Sequence, residues 1–193
     1  MTNKIAVFAS GTGSNFDAIM NAIDEGTLDA EVSLLASDRI NAAVIEKAQQ
    51  RNVDTVVLNP KSFTDKAAFE TALLADCQSR NVEWIILAGY MRLIGPTVLN
   101  AYPKRIINIH PSLLPAFQGK DAIGQALDKK VKVTGVTVHF VDNGMDTGPI
   151  IAQEALSITE DDTKDEVRRK IQAVEHQLYP RVIQTLLTKE NAK

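Results

Sequence analysis

The stretch Lys4-Ile5-Ala6-Val7-Phe8-Ala9-Ser10, followed at once by Gly11-Thr12-Gly13-Ser14-Asn15, decides the fold. An apolar run without polar alternation reads as a strand covered on both faces, as in a parallel sheet between helices. The glycine-bearing turn leads into a helical pattern over residues 16–25, which Gly26 stops. Strand, tight turn and helix form the opening unit of a wound α/β sheet.

The alternation continues. Strands are expected at residues 31–36, 53–58, 84–88 and 105–109, and helices at 42–51, 64–79 (with Thr64 as cap) and 95–101. The pattern then changes. Residues 132–141 alternate, with Val136, Val138 and Phe140 on one face and Thr137 and His139 on the other. A further strand, 150–158, follows after only a glycine-bearing loop, which marks an antiparallel addition. Residues 163–189 read as a long amphipathic helix with a candidate bend at Pro180. The expected fold class is α/β: a Rossmann-like, mostly parallel sheet flanked by helices, with an antiparallel C-terminal addition and a long terminal helix. No repeat or linker divides the chain, so residues 1–193 are expected to form one domain.

Composition narrows the function classes. The 193 residues are 45% hydrophobic and 23% charged, an ordinary globular balance. A formal charge of −3 gives no basic surface for nucleic acid. No apolar run reaches membrane-spanning length, and Met1-Thr2-Asn3-Lys4 opens no secretory pattern, so a cytoplasmic protein without a membrane partner is expected. Cys77 is alone, has no metal-ligand companions and reads as a small core residue.

Three polar clusters fall at expected strand ends, where open parallel sheets bind ligands. The 11–15 loop meets a helix start, whose free amides and partial positive charge suit a phosphate. It is no dinucleotide fingerprint, because Phe16 takes the third glycine position. A tight turn with Ser14 or Asn15 as N-cap is the plainer alternative. The second cluster is Gly89-Tyr90-Met91-Arg92-Leu93-Ile94. The third is Asn108-Ile109-His110-Pro111, where residues i and i+2 of a strand place an amide donor and a titratable imidazole on one face. The loop Asp142-Asn143-Gly144-Met145-Asp146 lacks the glutamate of a calcium loop, and Asp146 could instead face His110. His139 reads more readily as a structural histidine, and Gln172, Glu175 and His176 as a solvated helical face.

Taken in order, the 11–15 loop, Ala88-Gly89-Tyr90-Met91-Arg92-Leu93-Ile94, residues 108–115, residues 135–140 with Asp146-Thr147-Gly148-Pro149, and Glu175-His176-Gln177-Leu178-Tyr179-Pro180 resemble the phosphoribosylglycinamide formyltransferase family of folate-dependent enzymes. The resemblance spans nearly the whole chain. It implies transfer of a formyl group from 10-formyltetrahydrofolate, as co-substrate and without a metal, to the amine of glycinamide ribonucleotide in purine biosynthesis. The expected partners are those two small molecules, with the protein a monomer or homodimer. Carried over by motif, Asn108, His110 and Asp146 are catalytic. Thr12, Gly13, Ser14, Asn15, Gln172 and Glu175 bind the ribonucleotide. Lys66, Met91, Arg92, Leu93, Ile94, Asn108, Asp142, Asn143, Gly144, Met145 and Asp146 hold the folate. Lys66 stands where relatives often carry arginine, and Gln118-Gly119-Lys120-Asp121-Ala122-Ile123-Gly124 departs from relatives with two histidines there. The rival readings are a formyltetrahydrofolate deformylase, whose extra N-terminal domain is absent, a methionyl-tRNA formyltransferase, whose tRNA-binding domain is absent, and a non-catalytic nucleotide-binding module.

Overall fold

A computed structural model describes residues 2–191; Met1, Ala192 and Lys193, which complete the expected 1–193 unit, lie outside the described residues. Strands β1 (Asn3–Phe8), β2 (Ala30–Ser37), β3 (Thr55–Val57), β4 (Trp84–Leu87), β5 (Ile106–His110), β6 (Val133–Phe140) and β7 (Ile150–Ser157) form a seven-stranded sheet in the order β3-β2-β1-β4-β5-β6-β7. The pairs from β3 to β5 are parallel, and β6 and β7 add antiparallel. The helices are α1 (Ser14–Asp24), α2 (Ala43–Gln50), α3 (Lys66–Ser79), α4 (Pro96–Ala101), α5 (Ala122–Asp128) and α6 (Lys164–Asn191).

The apolar β1 run is explained by what covers it. Ile5, Val7 and Ala9 join one core with Phe16 and Ile19 of α1, Val44 of α2 and Ile171 and Tyr179 of α6. Ala6 and Phe8 point into the other core, with Phe69, Leu73 and Cys77 of α3 and Val98 of α4. Both faces are dry, so the strand shows no polar alternation. Cys77 is buried as expected, and burial pushes its thiol pKa to about 12.

Several expectations are corrected. The cap of α3 is Asp65, whose carboxylate accepts from the Ala68 amide at 2.8 Å, rather than Thr64. β3 is a half-buried edge strand shorter than the expected 53–58. Helix α5 has no counterpart among the expected elements; Asp121 caps it from a left-handed conformation. On β6, Thr137 and His139, on the face opposite Val136 and Val138, are buried. Helix α6 runs on through Pro180, where Leu178, Tyr179, Val182 and Ile183 anchor it in the core. Among the described residues no helix is long and apolar enough to cross a membrane.

Candidate active site

Strand order reverses between β1 and β4, since the chain winds outward from β1 to β3 and then from β4 to β5. The carboxyl ends of strands at such a switch open a crevice. Backbone bonds tie the two sides together there: the Ser10 amide donates to Gly89 O at 3.2 Å, and the Met91 amide donates to Ser10 Oγ at 2.9 Å. Ser10 Oγ in turn donates to Asp38 Oδ1. A cleft of about 500 Å³ lies across this point and continues over the end of β5.

Asn108, His110 and Asp146 meet on its wall. Asp146 adopts a left-handed φ of 57°, a conformation that Asp tolerates better than most residues. Its Oδ2 accepts from the Gly119 amide at 2.8 Å and lies 3.4 Å from His110 Nδ1, while Oδ1 lies 3.4 Å from Asn108 Nδ2. Burial would raise the Asp146 pKa, but the His139 ring, the Gly119 amide and the neighbouring His110 outweigh it and hold the carboxyl below 3.8. His110 Nε2 faces the Phe117 carbonyl at 2.9 Å; a carbonyl can only accept, so this nitrogen carries a hydrogen.

His139 is the residue that sequence reasoning undervalued. It is buried, with Nδ1 2.8 Å from Phe140 O and Nε2 3.2 Å from Asn108 Nδ2. The Phe140 carbonyl can only accept, so Nδ1 carries a hydrogen, while Nε2 lies between Asn108 Nδ2 and, at 3.6 Å, Asp146 Oδ1. The pairing of Asn108 with His139 in the β5–β6 ladder brings them together, and strand register is not written in either segment alone. The Gly119 amide and the Phe117 carbonyl are backbone groups and leave no sequence signal, and the side-chain Nε2 of Gln118 adds a bond to Asp146 O at 3.2 Å.

The 11–15 loop lines the same cleft. The N-cap of α1 is Gly13, not Ser14 or Asn15, and no side chain caps the helix. Its φ is 78°, and a Cβ there would lie 2.6 Å from Val44 Cγ2, so α2 packing demands this glycine. Gly11 faces open space instead: a Cβ on it would meet nothing within 4 Å. Asn15 donates from Nδ2 to Glu175 Oε2 at 3.0 Å, and its Oδ1 is buried without a partner among the described residues. Burial pushes the Glu175 pKa up to about 7, against the lowering effect of Asn15.

Thr12, Gly13, Ser14, Asn15 and Glu175 line the cleft, as do Met91, Arg92, Leu93, Ile94, Asp142, Gly144 and Met145. Gln172, Lys66 and Asn143 do not. Lys66 Nζ lies 3.6 Å from Glu70, whose Oε1 also accepts from the Gly95 amide at 2.6 Å, so this ammonium is held beside α4. Asn143 is exposed at the tip of its loop. Arg168, one turn before Gln172 on α6, lines the cleft instead, together with Lys120.

The Formyl transferase family model matches residues 3–183. The chain is 54% identical over 188 residues to phosphoribosylglycinamide formyltransferase of Bacillus subtilis, covering 97% of this chain and 96% of that one. A crystal structure of phosphoribosylglycinamide formyltransferase from Bacillus halodurans superposes with a TM-score of 0.95 at 50% identity, covering 97% of both chains. The trifunctional purine biosynthetic protein adenosine-3 of Bos taurus is 36% identical over 181 residues, which are 94% of this chain and 18% of that longer protein.

Proposed function

The chain belongs to the formyl transferase family, and we propose that it moves the formyl group of 10-formyltetrahydrofolate to the amine of N1-(5-phosphoribosyl)glycinamide. The products are formylglycinamide ribonucleotide and tetrahydrofolate, in purine biosynthesis. Full-length similarity to the Bacillus subtilis enzyme carries this reading. The cleft agrees with it: a glycine loop at a helix start fits a phosphate, and the Met91, Leu93, Ile94 and Met145 wall fits a flat, largely apolar folate. Hydrolysis of the same folate and non-catalytic nucleotide binding are not favoured, because the full-length relatives bear the name of the transferase.

Asn108, His110 and Asp146 stand where the two substrates would meet. The neutral amine attacks the formyl carbon, and charge develops on the formyl oxygen. Asn108 Nδ2 and His110 Nε2–H are the donors for that oxygen, with the oxygen displacing the Phe117 carbonyl from His110. Each well-aimed donor contributes on the order of 3–4 kcal/mol to the transition state. Asp146, held ionised, faces the opposite nitrogen of His110 at 3.4 Å and orients its ring. As the carbon–nitrogen bond to the folate breaks, a proton leaves the amine and one reaches the folate nitrogen; Asp146 is the base placed to relay it.

Residues 1–193 act as one catalytic unit in the cytoplasm. Thr12, Gly13, Ser14, Asn15 and Glu175 take the ribonucleotide, and the 91–94 and 142–146 loops take the folate. The test is the rate of tetrahydrofolate formation by purified protein with and without the ribonucleotide. Turnover that requires the ribonucleotide supports the reading; equal turnover without it assigns the site to hydrolysis.

A further inference from the structure

We propose that Arg168 of α6 and Lys120 of the 118–124 loop supply the counter-charge for the ribonucleotide phosphate, and so set the preference for a phosphorylated substrate. The inference rests on the reading of this cleft as a ribonucleotide site. A phosphate monoester carries between one and a half and two negative charges near neutral pH. The Gly11-Thr12-Gly13-Ser14-Asn15 loop offers amides and hydroxyls but no cation. The Lys and Arg side chains lining the cleft are Arg92, Lys120 and Arg168. Arg92 lies over the Phe69 ring at 5.4 Å, among the residues of the apolar wall. Lys120 and Arg168 are left for the phosphate.

Their positions fit. Arg168 and Glu175 are seven residues apart on α6, or roughly 10 Å along the axis. Glu175 touches Asn15 of the glycine loop, so α6 is pinned to that loop, and Arg168 lines the same cleft about two turns earlier on the helix. Arg168 uses Nη1 on Asp165 at 2.6 Å, in an exposed pair, and keeps Nε and Nη2 for a ligand. Exposed pairs of this kind hold weakly and exchange readily. The Lys120 ammonium has no hydrogen-bond or ion-pair partner among the described residues. The neighbouring carboxylate, Asp121, is taken up by Lys164 at 2.8 Å and by the Gly124 amide at 3.2 Å. Lys120 also follows Gly119, whose amide holds Asp146.

The experiment compares kcat/KM for glycinamide ribonucleotide and for its dephosphorylated riboside, in wild type and in Arg168→Gln, Lys120→Gln and the double variant. Each single change is expected to raise the ribonucleotide KM about three- to tenfold, the range for a charge-assisted contact in partly exposed surroundings. The folate KM and the riboside kcat/KM should stay put, so discrimination between the substrates falls. Arg168→Lys should retain part of it, and the double variant should show a shallower salt dependence. Unchanged discrimination, or equal losses on both substrates, overturns the inference. If wild-type protein shows no ribonucleotide-dependent transfer, the wider reading fails first. Protection by inorganic phosphate against thermal unfolding then decides the anion site by itself: a shift present in wild type and lost in the double variant supports it, and equal shifts overturn it.

Discussion

Asp146→Asn isolates the charge of the catalytic carboxylate from its shape. Asparagine tolerates the left-handed backbone at this position and keeps an oxygen for the Gly119 amide, so the variant should fold. What disappears is the negative charge 3.4 Å from His110 Nδ1. At that separation and an effective dielectric of about 20, Coulomb's law gives about 5 kcal/mol between a carboxylate and an imidazolium. Part of this is returned because asparagine still presents a dipole, so a loss of about 3–4 kcal/mol, or 10²–10³ in kcat, is expected. The KM for either substrate should change little, because the carboxylate acts on the transition state. The assay is steady-state transfer by the variant after circular dichroism has confirmed the fold. A folded Asn variant within tenfold of the wild-type kcat would refute the assignment of Asp146. Stability gives a second reading. The Asp146 pKa is depressed on folding, so its charge stabilises the fold above about pH 3.8, and that contribution is lost as pH falls through the folded value. Urea titrations of wild type and variant should therefore converge in acid; a gap that is constant with pH would contradict the depressed pKa.

Glu175 has the opposite sign: its pKa rises from 4.5 to about 7 on folding, so the fold loses stability as pH rises across that window. Glu175→Gln should remove this slope and be more stable than wild type above pH 7, by up to about 3 kcal/mol at 1.36 kcal/mol per pKa unit; parallel urea midpoints from pH 4.5 to 7 would contradict it. Gly11→Ala should leave the melting temperature unchanged and raise the ribonucleotide KM, because its Cβ meets only the space a phosphate would use. Gly13→Ala should destabilise the fold through Val44 and its positive φ, which calorimetry would register whatever ligand is present. Tyr179→Phe should cost about 1–3 kcal/mol in denaturant titrations, since its buried hydroxyl donates to Leu87 O at 2.8 Å and Ile107 O at 3.2 Å.

The sheet was legible because dry strands lack polar alternation: Ile5 to Ala9 and Trp84 to Leu87 could be read as buried without knowing what covers them. Asn108 and His110 were legible because a two-residue spacing on a strand fixes a common face. Asp146 could be read as facing His110 from its loop, the resemblance implied its catalytic role, and that loop's turn is set by Asp142 bonds to the Gly144 amide and Thr147 Oγ1. What stayed hidden depends on register or on main-chain groups. His139 joins the site only through its ladder position opposite Asn108, and Asp146 is held by the amide of Gly119, which no side-chain pattern announces. Gln172 and Arg168 lie one helical turn apart, and only the packing of α6 shows that the second faces the cleft. The resemblance implied a folate contact for Lys66; in the structure its ammonium lies 3.6 Å from the buried Glu70.

The most direct measurement follows the formyl carbon itself. Purified protein is given 10-formyltetrahydrofolate labelled with carbon-13 in the formyl group, together with glycinamide ribonucleotide, and the products are read by nuclear magnetic resonance. Formyl transfer predicts one labelled formamide on the ribonucleotide for each tetrahydrofolate released, and no label movement in a folded His110→Ala variant above about one-hundredth of the wild-type rate. Label recovered as free formate, or transfer by the His110→Ala variant at the wild-type rate, would contradict the account.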